Sequence, residues 1–80
     1  MYVVYIIYSI RFDRYYVGLT SDFEERLKTH NSGKVTSTKA FKPWELFHLE
    51  KFETRIEART REKYLKSAAG RRWRKHNLGM

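Results

Sequence analysis

Cysteine is absent from the sequence. That excludes a disulfide framework, a thiolate metal site and a cysteine nucleophile together. Glycine occurs only four times, and no Gly-rich phosphate-cradling loop, internal repeat or low-complexity linker is present. The longest apolar stretch, residues 1–10, is far short of the roughly 20 residues a membrane-spanning helix needs. It has no basic leader, and no small-residue cleavage site follows it. No membrane partner is expected, and the chain reads as cytoplasmic. Acidic residues are scarce: 9 Asp and Glu face 17 Lys and Arg, giving a net charge of +8. The excess is uneven. Residues 1–53 hold 8 basic and 7 acidic side chains, whereas residues 54–80 hold 9 and 2. A positive field concentrated in the last third of the chain points to a polyanion, with nucleic acid first. The 80 residues leave room for one domain, spanning 1–80. With 41% hydrophobic and 16% aromatic residues it can build a packed core.

Tyr2 to Tyr8 is β-branched and aromatic at both odd and even positions, as in a strand covered on both faces. Tyr15 to Leu19 reads as its antiparallel hairpin partner, with Gly18 marking a bulge or a close backbone approach. Ser21 and Glu24 have capping-box spacing for a helix to about His30, stopped by Asn31-Ser32-Gly33. Residues 34–43 are loop-like. Trp44 to Phe52 predicts a third strand with Leu46, His48, Glu50 and Phe52 on one side. Thr54 and Glu57 form a second capping box, opening a helix through about Ala69 with Gly70 as its stop. Residues 71–77 add a helical turn or two, or trail as a basic tail. The order β-β-α-β-α(-α) predicts an α+β domain, a small three-stranded, mainly antiparallel sheet flanked by helices.

At about 100° per residue the first helix gathers Phe23, Leu27 and His30 within an arc of about 60°, with Arg26 beside it. Arg26 and His30 either converge on a phosphate or are a snorkelling arginine beside a helix-terminal histidine. On the second helix Glu62 falls in the stripe of Ala58, Leu65 and Ala69. A carboxylate there needs a cation or a metal, and one carboxylate suffices for Mg²⁺ when waters and substrate phosphate complete its shell. Tyr5 and Tyr16 sit mid-strand in neighbouring strands, as amphipathic core residues or as a general base awaiting a nearby cation. His30, His48 and His76 show no metal-ligand spacing.

Together these residues resemble the GIY-YIG nuclease superfamily, and its small stand-alone bacterial members in particular. Val4-Tyr5-Ile6 stands for the first motif and Tyr16-Val17-Gly18 for the second. The segment from Thr20 through Arg26 and His30 to Gly33 matches the family's first helix, and Glu57 to Lys66, with Glu62, its glutamate-bearing helix. The likeness covers residues 2–66 and leaves 67–80 as a basic C-terminal extension. Val4 replaces the first motif's glycine. Leu19 stands where some relatives carry a lysine able to depress a tyrosine pKa, and Asn77 lies beyond the position of the family's asparagine.

The resemblance implies metal-assisted hydrolysis of a phosphodiester with Mg²⁺ or Mn²⁺. Tyr5 is then the general base and Tyr16 positions water or phosphate, with the two roles exchangeable. Arg26 stabilises charge on phosphate, His30 bonds the phosphate or a tyrosine hydroxyl, and Glu62 ligates the metal. The expected nucleic-acid surface is Arg71, Arg72, Trp73, Arg74 and Lys75, with Lys34, Thr38 and Lys39 adding phosphate contacts. Trp73 either stacks on an unpaired base or packs back as core. No base-reading element is evident, so structure-directed or loosely selective cutting is expected, on DNA in preference to RNA. Two alternatives remain: a nucleic-acid-binding module of the same fold with little or no catalysis, and a small basic partner-binding protein. An accessory protein for specificity and the oligomeric state stay open.

Overall fold

A computed structural model describes all residues 1–80. Strand β1 (Tyr2–Ser9) occupies the middle of a three-stranded sheet ordered β2-β1-β3, as its two apolar faces require. Strands β2 (Arg14–Thr20) and β3 (Glu45–Phe52) both pair with it antiparallel. Helix α1 (Phe23–Asn31) follows β2, and helices α2 (Arg55–Lys66) and α3 (Ala68–Leu78) follow β3. The α+β class and the order β-β-α-β-α-α are as expected.

Each face of β1 carries its own cluster. Val4 and Ile6 pack with Val17 and with Ala58 and Leu65 of α2, and Trp73 and Leu78 of α3 close over them. On the opposite face Tyr5 and Ile7 pack with Trp44, and Phe23 and Leu27 of α1 cover them. The domain is therefore helix, sheet and helix pair, with β1 in the middle layer.

Four local expectations are corrected. Helix α1 is capped by Asp22, not by a Ser21/Glu24 box: Asp22 Oδ1 accepts from Glu25 N–H at 3.2 Å. Thr20 Oγ1 bonds the Asp22 backbone, holding Asp22 extended where a cap must be. Strand β3 is bulged, because His48 pairs with Ile6 while Leu46 pairs with Ile7. Phe47 is the extra residue, so Leu46 lies on the face opposite His48, Glu50 and Phe52.

Helix α2 stops at Lys66, not Ala69. Ser67 ends it, donating N–H to Tyr64 O, and starts α3 by accepting from Gly70 N–H at 3.1 Å. Ala69 is consequently exposed and leaves the predicted stripe. Gly70 is no stop. It is buried inside α3, where a Cβ would overlap the Tyr64 carbonyl oxygen and lie 2.6 Å from Leu65 Cα. The capping box of Thr54 and Glu57 is present as expected, and Gly33 takes the left-handed φ of 82° after α1. Residues 68–78, the bulk of the basic extension, are thus a helix docked on the core.

Candidate active site

Tyr5 lies directly opposite Gly18 in the β1–β2 register. Its ring crosses the bare glycine: a Cβ at position 18 would fall 2.8 Å from the ring edge and closer still to the hydroxyl. This is the close approach expected of that glycine. The residue is 1% exposed, and its ring is also held by Phe23 and His30, at centroid distances of 5.3 and 5.8 Å.

Its hydroxyl meets the two α1 residues predicted to lean inward. The His30 Nε2 atom is 2.8 Å away, and Arg26 Nε–H donates to the phenol oxygen over 3.5 Å. With Arg26 donating to the phenol oxygen, the phenol's own hydrogen is available to Nε2. The other ring nitrogen agrees. His30 Nδ1 is 2.9 Å from Thr38 Oγ1, and that hydroxyl donates to Val35 O. On that basis we assign the ring hydrogen to Nδ1, with Nε2 as the acceptor. The result is a hydrogen-bonded chain from Tyr5 through His30 to Thr38.

Burial lowers the His30 pKa to about 4, and the Arg26 charge adds to the effect. For Tyr5, burial raises the pKa against the opposing hydrogen bond and charge of Arg26. Both groups are neutral at pH 7. A stability prediction follows from the sign of the His30 shift. Its folded value of about 4 lies below the ordinary 6.5, so the unfolded chain takes up the proton first. The contribution is whole above pH 6.5 and is lost as pH falls toward 4, on the order of 3 kcal/mol in all. Urea titrations between pH 7 and 4 should show this slope in the wild type and lose it in His30→Gln.

Glu62, 6% exposed, is bonded by Arg59 Nη1 at 3.2 Å and Lys66 Nζ at 3.1 Å, both from its own helix. Of the two partners a carboxylate here could have, the structure supplies cations. Both cations are at least half exposed and free to turn away. Glu62 also lies close enough to Tyr5 for its charge to raise the phenol's pKa. No group of three or more metal-ligating side chains gathers anywhere. A single buried carboxylate fits Mg²⁺, which keeps most of its waters. Tyr16 is half-buried, its ring edge-on to His30 and Trp44 at 5.2 and 6.4 Å, with Lys66 Nζ 5.9 Å from the ring centre.

Tyr5 therefore contacts both Arg26 and His30, Tyr16 adjoins them through His30, and Glu62 acts on Tyr5 through its field. Leu19 packs away from them, on the α2 side of the sheet. The cation beside Tyr16 is instead Lys66, which sequence reasoning missed. Its i+4 spacing from Glu62 was the available signal.

The predicted nucleic-acid residues divide. Lys34, Lys39, Arg71, Arg72 and Lys75 are exposed, and Arg72, Lys75 and His76 line a shallow depression on α3. Arg74 is half-buried, with Nε covered and unpaired. Thr38 is corrected: it is fully buried, its hydroxyl serves His30, and its carbonyl accepts from Trp44 Nε1–H. Of the two readings of Trp73, the structure takes the core one. It packs on the core beside Leu65, and the Arg61 guanidinium covers its ring at 4.3 Å. Arg61 is itself clamped by Glu50 through bonds of 2.8 and 3.2 Å, so the indole is not a free stacking surface.

Comparison with known proteins places residues 1–77 in similarity to the GIY-YIG catalytic domain. The chain is 45% identical over 53 residues to the UPF0213 protein YazA of Bacillus subtilis, covering 65% of this chain and 54% of that protein. It is 41% identical over 63 residues to a UPF0213 protein of Bacillus licheniformis, covering 78% and 65%. With the UPF0213 protein CPE1444 of Clostridium perfringens the identity is 37% over 67 residues, covering 82% and 71%. The chain spans about half the length of several such relatives. No solved structure matches it. No helix is long and apolar enough to cross a membrane.

Proposed function

The chain belongs to the GIY-YIG family, whose nucleases generally use divalent metals, and from that premise we propose a metal-dependent endonuclease hydrolysing DNA phosphodiester bonds. The observation that carries the proposal is the hydrogen-bonded chain linking Tyr5, His30 and Thr38, with Arg26 beside the Tyr5 hydroxyl.

The Arg26–Tyr5 bond is long and weak. A phosphate is the better acceptor and draws the guanidinium to itself, where it stabilises the charge that grows in the transition state. That frees the acceptor side of the phenol oxygen. Water oriented beside Tyr16 gives its proton to Tyr5 as Tyr5 gives its own to His30 Nε2. The water oxygen bonds to phosphorus as the bond from phosphorus to the 3′ oxygen breaks, and the departing 3′ oxygen takes a proton from solvent. A phenol of ordinary pKa about 10 is a poor source of phenolate at pH 7. A phosphate that draws Arg26 away removes one of the two causes of the lowered His30 pKa and sets an anion beside the imidazole. The proton therefore passes on to the imidazole, and Tyr5 acts without first ionising. Glu62 is the carboxylate that would hold Mg²⁺ or Mn²⁺, which when bound supplies charge neutralisation at the leaving 3′ oxygen. Lys34, Lys39, Arg71, Arg72 and Lys75 supply backbone contacts without base readout, in keeping with structure-directed or loosely selective cutting.

The binding-module reading draws on one observation, the burial that raises the Tyr5 pKa. A panel of single-stranded, duplex, flapped and branched DNA, with matched RNA, decides between the two. The nuclease reading expects cutting of DNA in Mg²⁺ or Mn²⁺ that stops in EDTA. Salt-sensitive binding to every substrate with no product in either metal would leave the binding module.

A further inference from the structure

Beyond the catalytic residues, a row of aromatic and cationic side chains leads from Tyr5 along the edge of the sheet to the β1–β2 turn. On β2, the edge strand, Gly18, Tyr16 and Arg14 pair with Tyr5, Ile7 and Ser9 and so share the Tyr5 face. Their span is about 13 Å at strand rise. Phe41, which ends a 3-10 turn (Lys39–Phe41) before β3, packs against the Tyr5 cluster on this face. The Arg14 guanidinium lies 4.2 Å over the Phe41 ring. Phe12, in the turn, meets Phe41 edge-on at 5.5 Å and is 46% exposed, with the Arg11 guanidinium 5.9 Å from its ring.

No carboxylate pairs with Arg11 or Arg14, and Asp13 between them is engaged by the Tyr8 hydroxyl at 3.0 Å. Arg11, Phe12, Arg14 and Phe41 did not stand out in the sequence as a binding element, because the row forms only when residue 41 is brought beside residues 12 and 14.

We infer that this row is a stacking path for an unpaired nucleic-acid strand running up to the site, which makes a single-stranded segment beside the scissile bond part of the substrate. The inference rests on the nuclease reading and narrows its substrate. The exposed Phe12 ring and the outer plane of the Arg14 guanidinium, which is backed by Phe41 and held by no carboxylate, present faces to which bases adhere whatever their sequence. The unpaired arginines add phosphate attraction. In a duplex the base faces are stacked on one another and unavailable. A patch built only for duplex backbone would need cations without the rings, as the exposed face of α3 has.

The test is fluorescence anisotropy in EDTA with a labelled oligo-dT 12-mer, an abasic 12-mer and a 12-base-pair duplex. Phe12→Ala is expected to weaken oligo-dT binding roughly 10-fold, with duplex and abasic binding changed less than about twofold, and Phe12→Trp to restore it. Phe12 sits in an exposed turn, and an unchanged circular dichroism spectrum controls for folding. Equal losses on all three ligands, no loss on any, or a Phe12-dependent change of oligomeric state would each overturn the inference. The last would mark the row as a contact between copies. The nuclease reading fails differently, by an absence of cutting in wild-type protein whose strand binding still depends on Phe12.

Discussion

Tyr5→Phe is expected to slow DNA cleavage by about 10²- to 10⁴-fold, the range for loss of a positioned proton carrier, in a domain that remains folded. Phenylalanine fills the same space above Gly18 and keeps the ring contacts with Phe23 and His30. Only the oxygen goes. His30 Nε2 then loses its donor at 2.8 Å and Arg26 loses an acceptor. Leaving a buried imidazole nitrogen unpaired costs about 1–3 kcal/mol, visible as a lower melting temperature but compatible with a native spectrum. Tyr16→Phe removes a hydroxyl with no part in the Tyr5–His30–Thr38 chain, so its effect on rate should be smaller and on stability slight. Should Tyr16→Phe stop cleavage while Tyr5→Phe merely slows it, the two phenols hold the exchanged roles.

Gly70→Ala carries the largest expected effect on stability. Elsewhere in a helix this substitution gains about 1 kcal/mol, because glycine is the poorer helix former. Here the sign reverses. The added Cβ meets the Tyr64 carbonyl and the Leu65 backbone, neither of which can swing aside as a flexible side chain would. Relief requires α3 to move off α2, withdrawing Trp73 and Leu78 from the core. Overpacking of this kind costs about 3 kcal/mol or more, which for a domain this small lowers the melting temperature by over about 12 °C. Gly79→Ala is the control. That glycine has a positive φ of 69° but nothing within 4 Å, so its cost is confined to local backbone strain. A Gly70→Ala protein that melts with the wild type would show that the α2–α3 joint is looser than described.

What was legible in the sequence was whatever local periodicity encodes. The double-sided apolar run placed β1 at the centre of the sheet, and helical spacing put Arg26 and His30 on one inward edge and Glu62 in an apolar stripe. The elements that escaped depend on partners far away in the chain. Thr38 looked like a polar loop residue because nothing local reveals that His30 needs an acceptor for Nδ1–H. Trp73 looked like part of a basic stacking motif because Arg61 and Glu50, which cover and clamp it, lie on other elements. The break at Ser67 was masked by Ala68 and Ala69, good helix formers that continue the pattern of α2. Ser67 instead offers its hydroxyl to Gly70 N–H, and Gly70 permits the close turn. The bulge at Phe47 is likewise invisible to simple alternation, since the side chain is placed by Tyr8 and Tyr15 at centroid distances of 6.3 and 5.1 Å.

The most direct test of the nuclease assignment separates binding from chemistry at Glu62. Glu62→Gln keeps the size and hydrogen-bonding reach of the side chain but removes the charge a divalent ion requires. Arg59 and Lys66 are at least half in solvent, so water takes over their hydration and the fold loses little when their partner is neutralised. Cleavage and affinity are to be measured on one flapped DNA substrate in Mg²⁺ for wild type and variant. The account predicts cutting by the wild type, a rate at least about 100-fold lower in the variant, and affinities within about threefold of each other. A variant that cuts at the wild-type rate, or a wild type that binds the same DNA without ever cutting it, would contradict the assignment.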